Sequence, residues 1–231
     1  MGENQLVYGE RFYFYFNLII RLTLVVGFAL AAYETNWMAM FVSAVVFVLT
    51  FLPEVFERTY KINLPVELQV IIVLFIYAGV FLGEVQGYYT RFWWWDSILH
   101  SFSGVALGFA GFLILYVLYK SGRLEANFKL MAVLAFCFAV ALGTLWEIFE
   151  FFMDSAFGLN MQKARDLELV YGEFDTRLGV MDTMVDLILN SIGAAVASVA
   201  GYFYLKGGEV PIFHRFVKRF ESENPDLFEE K

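Results

Sequence analysis

The residues of this chain that can do chemistry are carboxylates and one imidazole set inside stretches otherwise fit for lipid. Trp93-Trp-Trp-Asp-Ser-Ile-Leu-His100 places Asp96 and His100 four residues apart, with Ser103 and Gly104 continuing the same helical face. Gly143-Thr-Leu-Trp-Glu-Ile-Phe-Glu-Phe-Phe-Met-Asp154 repeats its acids at Glu147, Glu150 and Asp154, again along one stripe. Met181-Asp-Thr-Met-Val-Asp-Leu-Ile-Leu-Asn-Ser-Ile-Gly193 puts Asp182, Asp186, Asn190 and Gly193 on a single face. A carboxylate near the middle of a bilayer costs about 3 kcal/mol, so such residues mark functional sites by default. Carboxylates gathered in low dielectric cannot all ionise unless water, protons or a cation offset their repulsion. A divalent metal would do so, and the expected ligands are Asp96, His100, Glu147, Glu150, Asp154, Asp182 and Asp186. Oxygen donors with one imidazole suit Mg, Mn, Zn or non-haem Fe, and the spacing does not choose among them.

Helices must bring these stripes together. The composition is 60% hydrophobic, 19% aromatic and 17% charged, with a mean hydropathy of +0.63, which excludes an ordinary soluble domain. Long apolar runs, free of interior proline, point to helices rather than a transmembrane barrel. The fold class read from the sequence is an all-α, polytopic membrane helix bundle. Six spans are expected: Phe12 to Tyr33, Trp37 to Leu52, Pro65 to Val85, Trp93 to Tyr119, Phe128 to Met153 and Gly179 to Leu205. The first is expected to be a span and not a signal peptide, because no basic segment precedes it. Residues 1–205 then form the membrane domain, residues 154–178 a covering outer loop, and residues 206–231 a cytoplasmic tail.

Eleven Lys and Arg fall on one side of these spans and four on the other, so both termini are expected in the cytoplasm. With that orientation span four begins, span five finishes and span six begins at the outer face. The three stripes therefore meet at one end, in an outward-facing pocket with Asp96 and Asp154 at its mouth and Glu84 reaching the rim. Arg21, midway along the first span, is expected to snorkel to the cytoplasmic face. In the tail, Ile212, Phe213, Phe216, Val217 and Phe220 share a helical face, which reads as an interfacial helix under anionic lipid or as a cap packed on the bundle. Cys137 is a lone cysteine, so no disulfide or Cys-based metal site is expected. A net charge of -8 argues against a nucleic-acid partner. Membrane lipids are the expected partners in the cell membrane, with a homo-oligomer left open.

The strings Phe81-Leu-Gly-Glu-Val, Tyr89-Thr-Arg-Phe-Trp-Trp-Trp-Asp-Ser-Ile-Leu-His-Ser-Phe-Ser-Gly104, Trp146-Glu-Ile-Phe-Glu-Phe and Asp182-Thr-Met-Val-Asp-Leu-Ile-Leu-Asn-Ser-Ile-Gly-Ala194 resemble the YjdF family of bacterial and archaeal membrane proteins. More distantly, Asp96 with His100, Glu147 or Glu150, and Asp186 with Asn190 and Gly193 look like the pattern of VanZ-like proteins. That second resemblance implies a role in the cell envelope. It departs from the VanZ-like pattern at Glu150, where a Gln is usual, and at the extra acid Asp182.

Three uses fit these residues. The first is a metal-dependent hydrolase or transferase acting on a lipid or lipid-linked envelope substrate, with Glu147 or Glu150 as general base and His100 as ligand or acid. Arg165, Arg177 and Asn190 would then contact substrate. The second is a cation or proton transporter using the same carboxylates as relay sites. The third is a scaffold in which the cluster only fixes the fold. A solvated vestibule, its acids paired with Arg91, Arg165 or Arg177, is the simplest alternative to a metal.

Overall fold

The structure is a computed structural model and describes residues 3–158, 160–163 and 177–229. Its elements are helical, with no strand among the described residues. They are α1 (Glu3–Tyr33), α2 (Trp37–Leu49), α3 (Leu52–Tyr60), α4 (Val66–Ile76) continued by a π-helix (Tyr77–Val85), α5 (Tyr88–Arg91), α6 (Trp95–Lys120), α7 (Phe128–Phe157), α8 (Leu178–Leu205), α9 (Pro211–Glu223) and a 3-10 turn (Pro225–Phe228). Six helical segments are long and apolar enough to cross a membrane: Arg11–Tyr33, Trp37–Tyr60, Val66–Val85, Trp95–Lys120, Phe128–Phe157 and Leu178–Leu205. A 26-residue helix spans about 39 Å, more than the ~30 Å hydrocarbon layer. Large apolar side chains such as Ile19, Val26, Ile148 and Val196 are more than half exposed, as lipid-facing residues should be.

Polar residues set where helices begin and end. Asn36 and Asn127 cap α2 and α7 by accepting from Ala39 N at 3.1 Å and Leu130 N at 2.9 Å. Gly158, at φ 65°, ends α7 in the left-handed conformation that a side chain would resist. Pro53 sits in the first turn of α3, where its missing N–H costs nothing.

The chain divides into two compact units. One comprises Met1–Trp95 with Arg219–Asn224, the other Asp96–Lys218 with Pro225–Lys231. In the first, Ile20, Leu24, Val46, Val73 and Phe81 form the core. Arg21 lies in this unit, where it has a polar and an acidic partner at the Thr50–Glu54 end of the second span. Its Nε donates to Thr50 Oγ1 at 2.9 Å, and its Nη2 donates to Thr50 O and Glu54 Oε1, each at 3.1 Å. The guanidinium also stacks 3.7 Å from the Phe51 ring centre. Ending the second span at Leu52 hid this pair, because the helix resumes at Leu52 and brings Glu54 within a turn of Thr50.

The same unit ties down residues 219–224. Arg219 donates from Nη1 to Glu67 at 3.0 Å and from Nε to Glu223 at 2.7 Å. Burial works against its charge, but Glu223 and Glu67 outweigh burial and hold the guanidinium above its ordinary pKa. The Asn224 side chain accepts from Asn63 N at 2.7 Å and donates to Asn63 O at 2.8 Å. In the other unit, Phe213 packs with its ring centre 4.8 Å from Phe109 and 4.7 Å from Phe112. Phe213 and Val217 are buried, so protein covers this part of the apolar face of α9 while Ile212 stays exposed.

Candidate functional site

The second unit builds its site from α6, α7 and α8, and close helix contacts set the register. A methyl group on Gly104 would run into the carbonyl oxygen of Asn190, and one on Gly193 into that of Ser101. Only glycine lets these backbones approach so closely. Gly143 of α7 meets the same place, where an added Cβ would lie 2.7 Å from the Asn190 side chain. His100 precedes Gly104 by four residues, and Asp186 precedes Asn190 by four. Helices α6 and α8 both start at this end of the unit, so contact at Gly104 and Asn190 carries His100 and Asp186 together one turn earlier. Helix α7 runs the opposite way, so the turn after Gly143 delivers Glu147 to the same level.

The imidazole of His100 stands among three carboxylates. Its Nε2 is 3.5 Å from Asp96 Oδ1 and 3.8 Å from Asp186 Oδ2, while its Nδ1 is 3.6 Å from Glu147 Oε1. One ligand atom each from Asp96, His100 and Asp186 can be chosen so that all lie within 4.8 Å of one another. Two ligands about 2.1 Å from one ion would sit roughly 3.0–3.4 Å apart, so small side-chain shifts would close this set on a metal. Glu147, Glu150, Asp186 and Asn190 are buried. Among the described residues, Oδ2 of Asp182 and Oδ2 of Asp186 are buried and accept no hydrogen bond. Buried oxygens left this way are costly and fit a cation as their missing partner.

The remaining expected site residues have separate places. Glu150 Oε1 accepts from Trp146 Nε1 at 2.8 Å, which fixes it one turn from Glu147 on α7. Asp182 lies one turn before Asp186 on α8, partly buried. Asp154 accepts from Met161 N at 2.7 Å and Gln162 N at 3.0 Å. Two backbone donors occupy its carboxylate, which makes it the anchor of the segment after α7. Asn190 is 2% exposed and donates from Nδ2 to Ser103 Oγ at 3.1 Å. It lies between Gly104 and Gly143, at the floor of the site. Arg177 is the exposed residue preceding α8, and Arg165 with most of the loop at 154–178 lies outside the described residues.

One functional candidate had no recognised signal in the sequence. Lys163 is a cation in the described segment after α7, which folds back toward the start of α8. Its position follows because Asp154 folds the segment back, Gln162 Nε2 donates to Thr183 Oγ1 at 3.0 Å, and Lys163 itself turns at φ 52°. A lysine in a polar loop is unremarkable by composition, and only this chain reversal brings it toward α8.

A protein of Thermotoga maritima, described as "Uncharacterized protein", is 24% identical over 143 residues, which cover 62% of this chain and 66% of the relative. The match thus spans just under two thirds of that relative's length. No solved structure matches the chain. A family described as "Predicted membrane protein (DUF2238)" matches residues 16–207, a stretch that takes in nearly all of the six apolar helices and every residue of the carboxylate and imidazole cluster, and the YjdF resemblance is consistent with it. The chain is a multi-pass membrane protein and belongs to that family.

Proposed function

We propose that the cluster is a divalent-metal centre at the outer membrane face, acting on the phosphate-bearing head of a lipid or lipid-linked envelope substrate. The observation that carries this reading is the trio Asp96, His100 and Asp186, with ligand atoms within 4.8 Å of one another and orphaned buried oxygens beside it. Nε2 of His100 faces the two ligand carboxylates, and Glu147 faces Nδ1. A carboxylate beside the second imidazole nitrogen is the usual support of a metal-binding histidine, and Glu147, 3.6 Å from Nδ1, is placed to give it after a small side-chain shift. A bound divalent ion would supply Lewis acidity toward a phosphate oxygen. Lys163, on the segment folded back toward α8, is the cation that draws an anionic group toward the acids, and Glu150, steadied by Trp146, is the carboxylate that takes or returns a proton.

The tight floor at Gly104, Gly143, Asn190 and Gly193 favours this reading over a transporter. Backbone contact between α6 and α8, with Asn190 against Gly143 of α7, packs the described residues tightly just inside the acids.

Metal binding to the folded state stabilises it by mass action, by about 2.7 kcal/mol at a hundredfold excess over Kd. EDTA should therefore lower the Tm of the detergent-solubilised protein by several degrees, and one divalent metal should restore it. Asp186→Asn should abolish that response, while Glu147→Gln should weaken the metal's affinity about 10–100-fold by removing that support of the imidazole. If no divalent ion shifts the Tm of the chelated protein, the metal reading is wrong.

A further inference from the structure

A second chemical feature lies at the opposite end of the same unit, where α6 and α8 end and α7 begins. There a cavity of about 910 Å³ opens among residues of α6, α7, α8 and α9. That volume matches the range, roughly 300–1,000 Å³, of small-molecule sites. Three cations line it: Lys120 from the last turn of α6, and Arg215 and Lys218 from α9. All three are exposed, and Glu209 is the acid among the lining residues. The cavity thus carries an excess of positive charge in a chain whose net charge is -8.

Helix α9 accounts for the arrangement. Phe213 and Val217 lie one turn apart on its buried face. Pro211, His214, Arg215 and Lys218, at i, i+3, i+4 and i+7, share the opposite face and line the cavity. Packing the apolar face therefore fixes the cations toward the opening. The walls come from Tyr116, Tyr119 and Tyr204, with Phe128 at the start of α7. Tyr116 is 3% exposed and stacks on Phe112, so it backs the wall from within the bundle.

Depth decides the kind of ligand. Lys120, Phe128 and Leu205 are the terminal residues of three membrane-spanning helices, so the cavity opens where those helices leave the apolar layer. Aromatic rings with polar tips beside cations are the chemistry of the lipid headgroup zone. Lysine and arginine offer charge-assisted donors that suit phosphate oxygens. We infer that this cavity binds the phosphate of an anionic membrane lipid, with Lys120, Arg215 and Lys218 receiving the phosphate and the tyrosines covering the glycerol and upper acyl chain. The inference is independent of the metal centre, which lies at the other end of α6.

Native mass spectrometry of the full-length protein in detergent, titrated separately with phosphatidylglycerol, phosphatidylcholine and soluble glycerol 3-phosphate, tests it. Phosphatidylglycerol should bind at least tenfold more tightly than phosphatidylcholine. Arg215→Ala with Lys218→Ala should remove that preference, whereas Lys206→Ala, whose ammonium lies over Tyr202 outside the cavity, should keep it. Lys120→Gln provides a second variant should the double one fold poorly, and it should weaken the preference several-fold. Glycerol 3-phosphate displacing the lipid at equal concentration would establish the phosphate chemistry but assign the ligand to the aqueous phase. Equal binding of the two lipids, or a preference unchanged in both cavity variants, overturns the inference. With EDTA present to keep the carboxylate cluster free of metal, the phosphatidylglycerol preference should persist, which separates this cavity from the metal centre.

Discussion

Asp154 shows how a residue's role is set by donors its own sequence neighbourhood does not reveal. It shares a stripe with Glu147 and Glu150, which made it a candidate ligand, yet its two oxygens receive the amides of Met161 and Gln162. Hydrogen bonds to a charged acceptor contribute about 1.5–3 kcal/mol each. Asp154→Ala should therefore release residues 160–163 without unfolding the helices. Hydrogen exchange followed by mass spectrometry should show the Met161 and Gln162 amides exchanging tenfold or more faster, with peptides from the middle of α7 unchanged. Unaltered protection in the 160–163 segment would show that Asp154 is not its anchor. Arg21 carries the same lesson in the other unit, where Thr50 and Glu54 give it partners the bilayer does not.

At the level of elements, contacts at glycine decide which stripes meet. The polar faces of α6, α7 and α8 were legible from spacing alone, since helical periodicity places Asp96 with His100 and Asp182 with Asp186. Spacing does not state which turn of one helix faces which turn of another. That is fixed where Gly104 meets Asn190 and Gly193 meets Ser101. Gly193→Ala must push a methyl group against backbone that cannot swing aside, and should cost about 1–3 kcal/mol. Gly79→Ala is the control, because its added methyl would meet only Tyr89 Oη at 3.7 Å. Thermal unfolding in detergent should show a lower Tm for Gly193→Ala and little change for Gly79→Ala. Equal Tm values for the two variants would remove the α6–α8 contact as the register-setting feature.

For the molecule as a whole, the bias in Lys and Arg predicts the orientation, because these residues resist transfer across the membrane and collect on the cytoplasmic side. The outer-leaflet substrate proposed for the carboxylate cluster depends on which end of α6 faces outward. In a Cys137→Ala background, Glu34→Cys in the turn between α1 and α2 should react with a membrane-impermeant maleimide in intact cells. Arg123→Cys, in the turn after α6, should react only after permeabilisation. Both positions are exposed in the structure. The reverse pattern would place the carboxylate cluster on the cytoplasmic side and exclude an outer-leaflet substrate.

The sequence by itself determined that this is a helical membrane protein with six spans, because apolar runs of membrane length leave the backbone no other way to satisfy its hydrogen bonds. It also determined which side chains could form a site, since a carboxylate inside such a run is too costly to be incidental. Tertiary structure alone decided which of them meet. It set His100 against Asp96, Asp186 and Glu147, turned Asp154 to an anchoring role, placed Asn190 at the floor and folded the segment carrying Lys163 back toward α8. The physical reason is range. Periodicity acts within one helix, through bonds four residues long, whereas these assignments depend on glycine-mediated contacts and loop hydrogen bonds between residues that the chain separates and only packing rejoins.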